Sequence, residues 1–476
     1  MIAVTDRARA RTNGSMRWIA SVLVIAACTH DHDVVVGSSS NDMVIKQFPT
    51  SPDLDVLFMV DNSSSTEDKQ MTFAQAFPTF VAAIDTFPSG RPNLHMGVIS
   101  STADLGPDAA ALTGACPSPN MFSDGRLQNP LGSDCPSGLF IEDIADGSGR
   151  DVNYTGTLED ALSCIAPVGA AGCGFEAQML ATQRALDGTH PENAGFLRAD
   201  ADLMIVMLTD EDDCSVIDSS LFTMPASSVG GLSDYRCQPM FAYDCDQPIT
   251  AGSGSATYTN CVTRHGGPLL DPDTVAQLLA PIKDPSQTAV ALIAGDPETT
   301  IMTGALTFPD NVTQDPALLP SCTTTLSDGP AIGRPAIRLN DFMSHYGPRG
   351  SFHSVCQPDY SQALTDIAGS MSTMLASACL ASNVDPTDTD ATMPGVQLAC
   401  TASDNLDYPS GQQIAIPQCP MSDVTLPDPS GPRPCFWAQT DESCTSQAGS
   451  TLSYHVERAT PAPAGTVVRI TCQPTH

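Results

Sequence analysis

Two stretches constrain the fold of this 476-residue chain more than any others. Residues 55–61 read DVLFMVD and residues 202–210 read DLMIVMLTD, each an unbroken apolar run stopped by an aspartate. A run of this length without polar alternation suits a strand covered on both faces, as in a parallel sheet. LHMGVIS (94–100), TAVALIAGD (288–296) and GSFHSVC (350–356) extend the set, and GLFIEDI (138–144) reads as an edge strand. Helical patterns lie between them. Phe73, Phe77, Phe80, Val81, Ile84 and Phe87 follow the first run, then TLEDALSCIA, FEAQMLATQRAL and a closing YSQALTDIAGSMSTMLASA. This alternation predicts an α/β fold: a doubly wound, mostly parallel Rossmann-like sheet with right-handed crossovers and helices on both faces.

The ends of the chain have a different texture. Arg7, Arg9, Arg11 and Arg17 precede an apolar stretch, Trp18 to Ala27, too short for a permanent membrane span. It ends Ile25-Ala26-Ala27-Cys28, which resembles a bacterial lipoprotein signal (1–27) with Cys28 as the lipid-carrying residue. Residues 28–50 read as a tether, in which HDHD (30–33) is a solvated polar run. Beyond about residue 381, a Pro/Asp/Thr linker leads into short apolar segments carrying Cys400, Cys419, Cys435, Cys444 and Cys472. Residues 381–476 are therefore expected to be a linker and a small disulfide-stapled β module. The main domain spans 51–380, with insertions at about 102–137 and 211–287.

Of 17 cysteines, Cys28 leaves an even number, and no two are spaced C-x-x-C. That pattern favours structural staples in an exported protein over zinc or redox chemistry. Cys164–Cys173, Cys237–Cys245 and Cys435–Cys444 are expected as short loop closures. The net charge of −34 repels nucleic acid and anionic headgroups but attracts cations. No G-x-S-x-G elbow, H-E-x-x-H site or Gly-rich phosphate loop is present, so no enzyme is expected.

In open α/β sheets, ligands bind beyond the carboxyl ends of strands where the strand order reverses. The two Asp-ended runs are expected to be neighbours there, bringing Asp61 and Asp210 to one crevice. Ser63 and Ser65 follow Asp61 at two-residue spacing, so both hydroxyls can reach one point. Two carboxylates and two hydroxyls form an all-oxygen donor set for a hard divalent cation, Mg, Mn or Ca. A water on such an ion is replaceable by a carboxylate from another molecule. Glu211, Asp212 and Asp213 follow Asp210 directly; they read either as a second cation site or as an acidic loop locked by Cys214.

At these residues the chain resembles the von Willebrand factor type A family, whose metal-ion-dependent adhesion site begins Asp-x-Ser-x-Ser. Asp61, Ser63 and Ser65 match that motif, and Asp210 in MLTDEDD matches the family's downstream aspartate. GCGFE and LTDEDDCS look like features of a cysteine-rich bacterial lipoprotein branch. One element departs: the family supplies a threonine from the loop before the third helix, and here PVGAAGCGFEA places Ala170 and Ala171 in that region. Thr155 and Thr157 lie upstream. Glu176 is a candidate to reach the metal, although a helix dipole also favours a carboxylate at that position. The resemblance implies a surface-anchored adhesion-type lipoprotein of the outer membrane or cell surface. It would hold a protein or glycan ligand through the metal, and the membrane through its lipid alone. The alternative is a structural envelope lipoprotein whose metal site is vestigial or serves folding.

Overall fold

The computed structural model describes residues 53–474, apart from 88–89, 113–115, 117–122, 129–134, 147–148, 200, 232, 253, 284, 308–312, 327–328, 377, 381–383, 407–411, 425–426, 441–450 and 460–466. It also describes two earlier strands, Val35–Val36 and Val44–Pro49. The signal segment 1–27, Cys28, the HDHD run and Cys444 lie outside the described residues.

Seven strands form the central sheet: β1 (Asp53–Val60), β2 (Asn93–Ser100), β3 (Ile141–Ala145), β4 (Arg150–Val152), β5 (Asp202–Leu208), β6 (Thr288–Ala294) and β7 (Gly350–Ser354). Their order is β7-β6-β5-β1-β2-β3-β4. The strands from β7 to β2 pair in parallel, while β3 and β4 run antiparallel. The GLFIEDI segment is therefore not the edge, because the short β4 lies outside it.

Alternation along the strands divides the sheet's faces. Leu54, Val56, Phe58 and Val60 pack on one side with α1 (Glu67–Gln75), α2 (Phe77–Asp85), α3 (Leu158–Ile165) and α7 (Ser361–Ala376). Phe58 meets Phe73, Phe77 and Phe80 edge-on at centroid distances of 5.7, 6.2 and 6.1 Å. Leu57 and Met59 face α4 (Gln178–Leu186), α5 (Pro272–Leu279) and α6 (Ile337–Ser344) on the other side. The helical pattern after the first run is two helices rather than one, with Pro78 in the first turn of α2.

The chain also makes a long excursion between β6 and α6. In it, Ile301–Thr307 pairs with Thr313–Leu318 and with Ala256–Tyr258 from the second insertion, and Cys322–Leu326 forms a hairpin with Gly329–Gly333. The three expected disulfides are not formed. Cys173 pairs with Cys116, Cys164 with Cys135, Cys237 with Cys214, Cys245 with Cys261 and Cys435 with Cys419. Each of these cysteines is met by one from a different segment folded back over it, so nearness in sequence was the wrong guide. Cys322–Cys356 and Cys400–Cys472 complete the described pairs.

The C-terminal region is a β module with its own core of Leu398, Ile416, Phe436, Tyr454 and Ile470. Val44–Pro49 pairs antiparallel with Val467–Cys472, which pairs in turn with Cys400–Asn405. The expected tether at 28–50 is thus corrected: its last residues are a strand of this module's sheet.

Candidate functional site

The crest of the sheet is built by β1 and β5 ending side by side, Val60 opposite Leu208. The backbone N–H of Asp61 donates to the Leu208 carbonyl at 2.9 Å, which sets the register of the two acidic loops. The neighbouring β2 ends in Ser100, and the residues after it, Ser101 and Thr102, supply hydroxyls to the same point. Asp61 Oδ1 accepts from the Ser63 N–H at 2.8 Å and from Ser101 Oγ at 3.1 Å. Its Oδ2 accepts from Thr209 Oγ1 at 2.7 Å. Asn62 turns inward, where Thr102 Oγ1 donates to its Oδ1 at 2.9 Å. With Asn62 held below, Ser63 and Ser65 project together: their Oγ atoms are 3.1 Å apart, and Ser65 Oγ donates to Asp210 Oδ1 at 3.1 Å. The four residues singled out by spacing therefore form one hydrogen-bonded chain.

Glu176 joins them from the loop before α4. That loop rests directly on the Asp-x-Ser-x-Ser turn: the Gly172 N–H donates to the Asn62 carbonyl at 2.7 Å, and a Cβ on Gly172 would come 2.6 Å from that same oxygen. Glycine is required by this approach. The Cys116–Cys173 disulfide and a 3.0 Å bond from the Cys173 N–H to Thr102 Oγ1 fix the next residue. Glu176 is only 1 % exposed, and its carboxyl meets that of Glu211. Thr157 does not reach the crest; its side chain caps α3 in a reciprocal box with Asp160.

Three features of the crest were not anticipated. Lys69, in the first turn of α1, is 2 % exposed, and its Nζ lies 3.0 Å from Asp210 Oδ2 and 2.8 Å from the Ser65 carbonyl. A cation at a helix N-terminus opposes the helix dipole, so Asp210 is what holds it there. Arg334, from the excursion between β6 and α6, donates its backbone N–H to the Asp210 carbonyl at 2.8 Å and pairs with Glu211. Gln70 Nε2 ties the Asp61 and Gly169 carbonyls together, at 2.8 Å each.

Electrostatically the crest is crowded. Burial and the neighbouring Asp210 raise the Asp61 pKa against hydrogen bonds from Ser63 and Thr209 that lower it. Burial, with Glu211 and Asp61 nearby, raises Glu176 well above the carboxylate range. Glu211 is raised by burial despite Arg334. Burial works against the charge on Lys69, but Asp210 and Asp68 outweigh it and its pKa is raised. Four carboxyls thus face two cations. Protons on the acids remove the surplus charge; so would one divalent cation. Asp61, Ser63, Ser65, Asp210 and Glu176 make an all-oxygen set, but Lys69 occupies Asp210 Oδ2, and the one group of acidic and histidine ligands found close enough to hold an ion among the described residues lies elsewhere.

Glu211, Asp212 and Asp213 are not gathered into a second cation site. Asp212 accepts from the N–H groups of Arg338 and Leu339 at 2.8 and 3.1 Å, capping α6, and from Tyr243 Oη at 2.8 Å. Asp213 accepts from the Met179 N–H at 2.9 Å, capping α4, and lies 3.4 Å from Arg338 Nη2. Helix N-termini and a buried guanidinium use these carboxylates. Elsewhere, His265, Asp271 and Asp273 bring ligand atoms within 4.8 Å of one another and could hold a metal ion. Among the described residues no helix is long and apolar enough to cross a membrane.

No family model matches the chain, and no curated protein does. Solved structures to which it is similar include two pilus adhesins. The open conformation of SpaC from Lactobacillus rhamnosus GG matches 90% of this chain and 40% of its own at 9% identity and a TM-score of 0.32. RrgA from Streptococcus pneumoniae matches 91% of this chain and 58% of its own at 10% identity and a TM-score of 0.28. The chain thus spans about half the length of these adhesins.

Proposed function

We propose that this chain is a surface-anchored binding protein of von Willebrand factor type A character. Its crest holds one divalent cation, Mg, Mn or Ca, through Asp61, Ser63, Ser65, Asp210 and Glu176. The bound ion would supply an open coordination position for a carboxylate of a protein or glycan partner. Cys28 would carry the lipid that anchors the protein to the outer membrane, and no catalysis is assigned to the chain. The observation that carries this reading is the surplus of carboxyls at the crest, Asp61, Glu176, Asp210 and Glu211, over Lys69 and Arg334. Calorimetric titration of the three cations into metal-free protein tests it. Saturable binding lost in both Asp61→Ala and Asp210→Ala supports the shared site; binding indifferent to both refutes it.

A second reading has its own observation. Lys69 already neutralises Asp210 from within the fold, and the Asp61 and Asp210 side chains are almost fully covered. In a structural envelope protein this ammonium would take the cation's place, and no ion would bind the crest.

A further inference from the structure

His265, Asp271 and Asp273 lie well outside the crest, on the second insertion and its exit into α5. His265 follows the short strand Val262–Thr263, Asp271 is the N-cap of α5, and Asp273 sits in that helix's first turn. Nδ1 of His265 is 3.2 Å from both Asp271 oxygens and 3.9 Å from Asp273 Oδ2. A four-coordinate ion with bonds of about 2.0–2.1 Å sets its donors roughly 3.3 Å apart, so small side-chain rotations gather these three around one ion. Asp271 is already aimed: its Oδ2 accepts from the Gly266 N–H and its Oδ1 from the Asp273 N–H, both at 3.0 Å.

A supporting layer comes from α6 and its C-cap. His345 Nε2 is 3.0 Å from Asp273 Oδ1. Asp341 Oδ2 lies 4.0 Å from the other ring nitrogen of His265, Nε2, and this oxygen is covered with no hydrogen-bond partner. A metal-bound imidazole commonly donates its second N–H to a carboxylate, which fixes its tautomer and ring orientation. His265 is thus flanked by a carboxylate at each ring nitrogen, Asp271 at Nδ1 and Asp341 at Nε2.

We propose that His265, Asp271 and Asp273 form a binding site for a first-row transition dication, zinc or manganese in class, with Asp341 orienting His265 and His345 orienting Asp273. A nitrogen donor beside two carboxylates favours such ions over calcium or magnesium, which prefer all-oxygen surroundings. The site pins the second insertion to α6, whose first N–H groups are held by Asp212 next to the crest.

The test is calorimetric titration of Zn²⁺ and of Mn²⁺ into the full chain, beside His265→Ala, Asp341→Asn and the crest variant Asp61→Ala. His265 is half exposed, so its loss leaves the fold intact, which far-UV circular dichroism checks. A saturable site is expected in the wild type and in Asp61→Ala. It should weaken about ten-fold or more in Asp341→Asn and disappear in His265→Ala. Absence of a saturable site, its retention in His265→Ala, or its loss with Asp61→Ala overturns the proposal.

Discussion

Replacing Lys69 by Met separates the two readings of the crest. The Nζ atom has three oxygen partners, the Ser65 carbonyl at 2.8 Å, Asp210 Oδ2 at 3.0 Å and Asp68 Oδ1 at 3.3 Å. The pair with Asp210 is the costly one to break, because both side chains are 2 % exposed, whereas Asp68 is open enough to be rehydrated. Removing one partner of a buried pair costs roughly 3–5 kcal/mol, since the other charge stays buried. Met fills much the same volume, so packing adds little. In chelator, Lys69→Met should therefore melt on the order of 10 °C below wild type. Adding Mg²⁺, Mn²⁺ or Ca²⁺ should restore most of this, since an ion at about a hundred times its Kd contributes roughly 2.7 kcal/mol. The variant should also bind the ion more tightly than wild type, having no ammonium to displace. Thermal melts with and without cation measure both effects. A loss below about 1 kcal/mol in chelator, with no recovery in cation, would refute the claim that Lys69 and a divalent ion compete for Asp210.

Further expectations concern the same crest. In chelator, the raised pKa values of Asp61, Glu176 and Glu211 mean that the folded state holds protons the unfolded chain releases. Their stabilisation is complete below about pH 4 and is lost as pH rises toward 7, so it shrinks between pH 5.5 and 7.5. Urea unfolding at the two pH values should show a weaker fall in Glu176→Gln; Asp202, raised by burial to about 7, is common to both proteins and cancels in the difference. An identical slope would remove Glu176 from the set. Gly172→Ala should destabilise by about 1–3 kcal/mol, because the added methyl drives the loop off Asn62; unchanged urea midpoints would show that the loop gives way freely. A Cys116→Ala, Cys173→Ala double variant should lose about 2–5 kcal/mol and weaken crest cation binding, while an unaltered titration would show that the staple does not position Glu176.

The sheet was legible because buried parallel strands leave an unmistakable apolar run, and β1 and β5 both end in aspartate. Asp61, Ser63, Ser65 and Asp210 were readable for the same reason: local spacing and two strand ends were enough. Lys69 was not, since one lysine in a polar first helical turn looks like an ordinary solvated residue until the fold places Asp210 above it. Arg334 comes from 123 residues beyond Glu211, and no local pattern announces such a contact. Ser101 and Thr102 carried a signal that went unused, two hydroxyl residues directly beyond the strand LHMGVIS. The hairpins at 301–333 were missed because their threonine-rich alternation is weak beside the buried runs. Disulfide partners failed for a plainer reason, as chain folding rather than sequence distance decides which thiols meet.

Diffraction at the manganese edge from crystals grown in Mn²⁺ tests the central claim most directly. The account predicts an anomalous peak bounded by Asp61, Ser63, Ser65, Glu176 and Asp210, with Lys69 withdrawn from Asp210. A crest without a peak, and Lys69 still on Asp210, would contradict it.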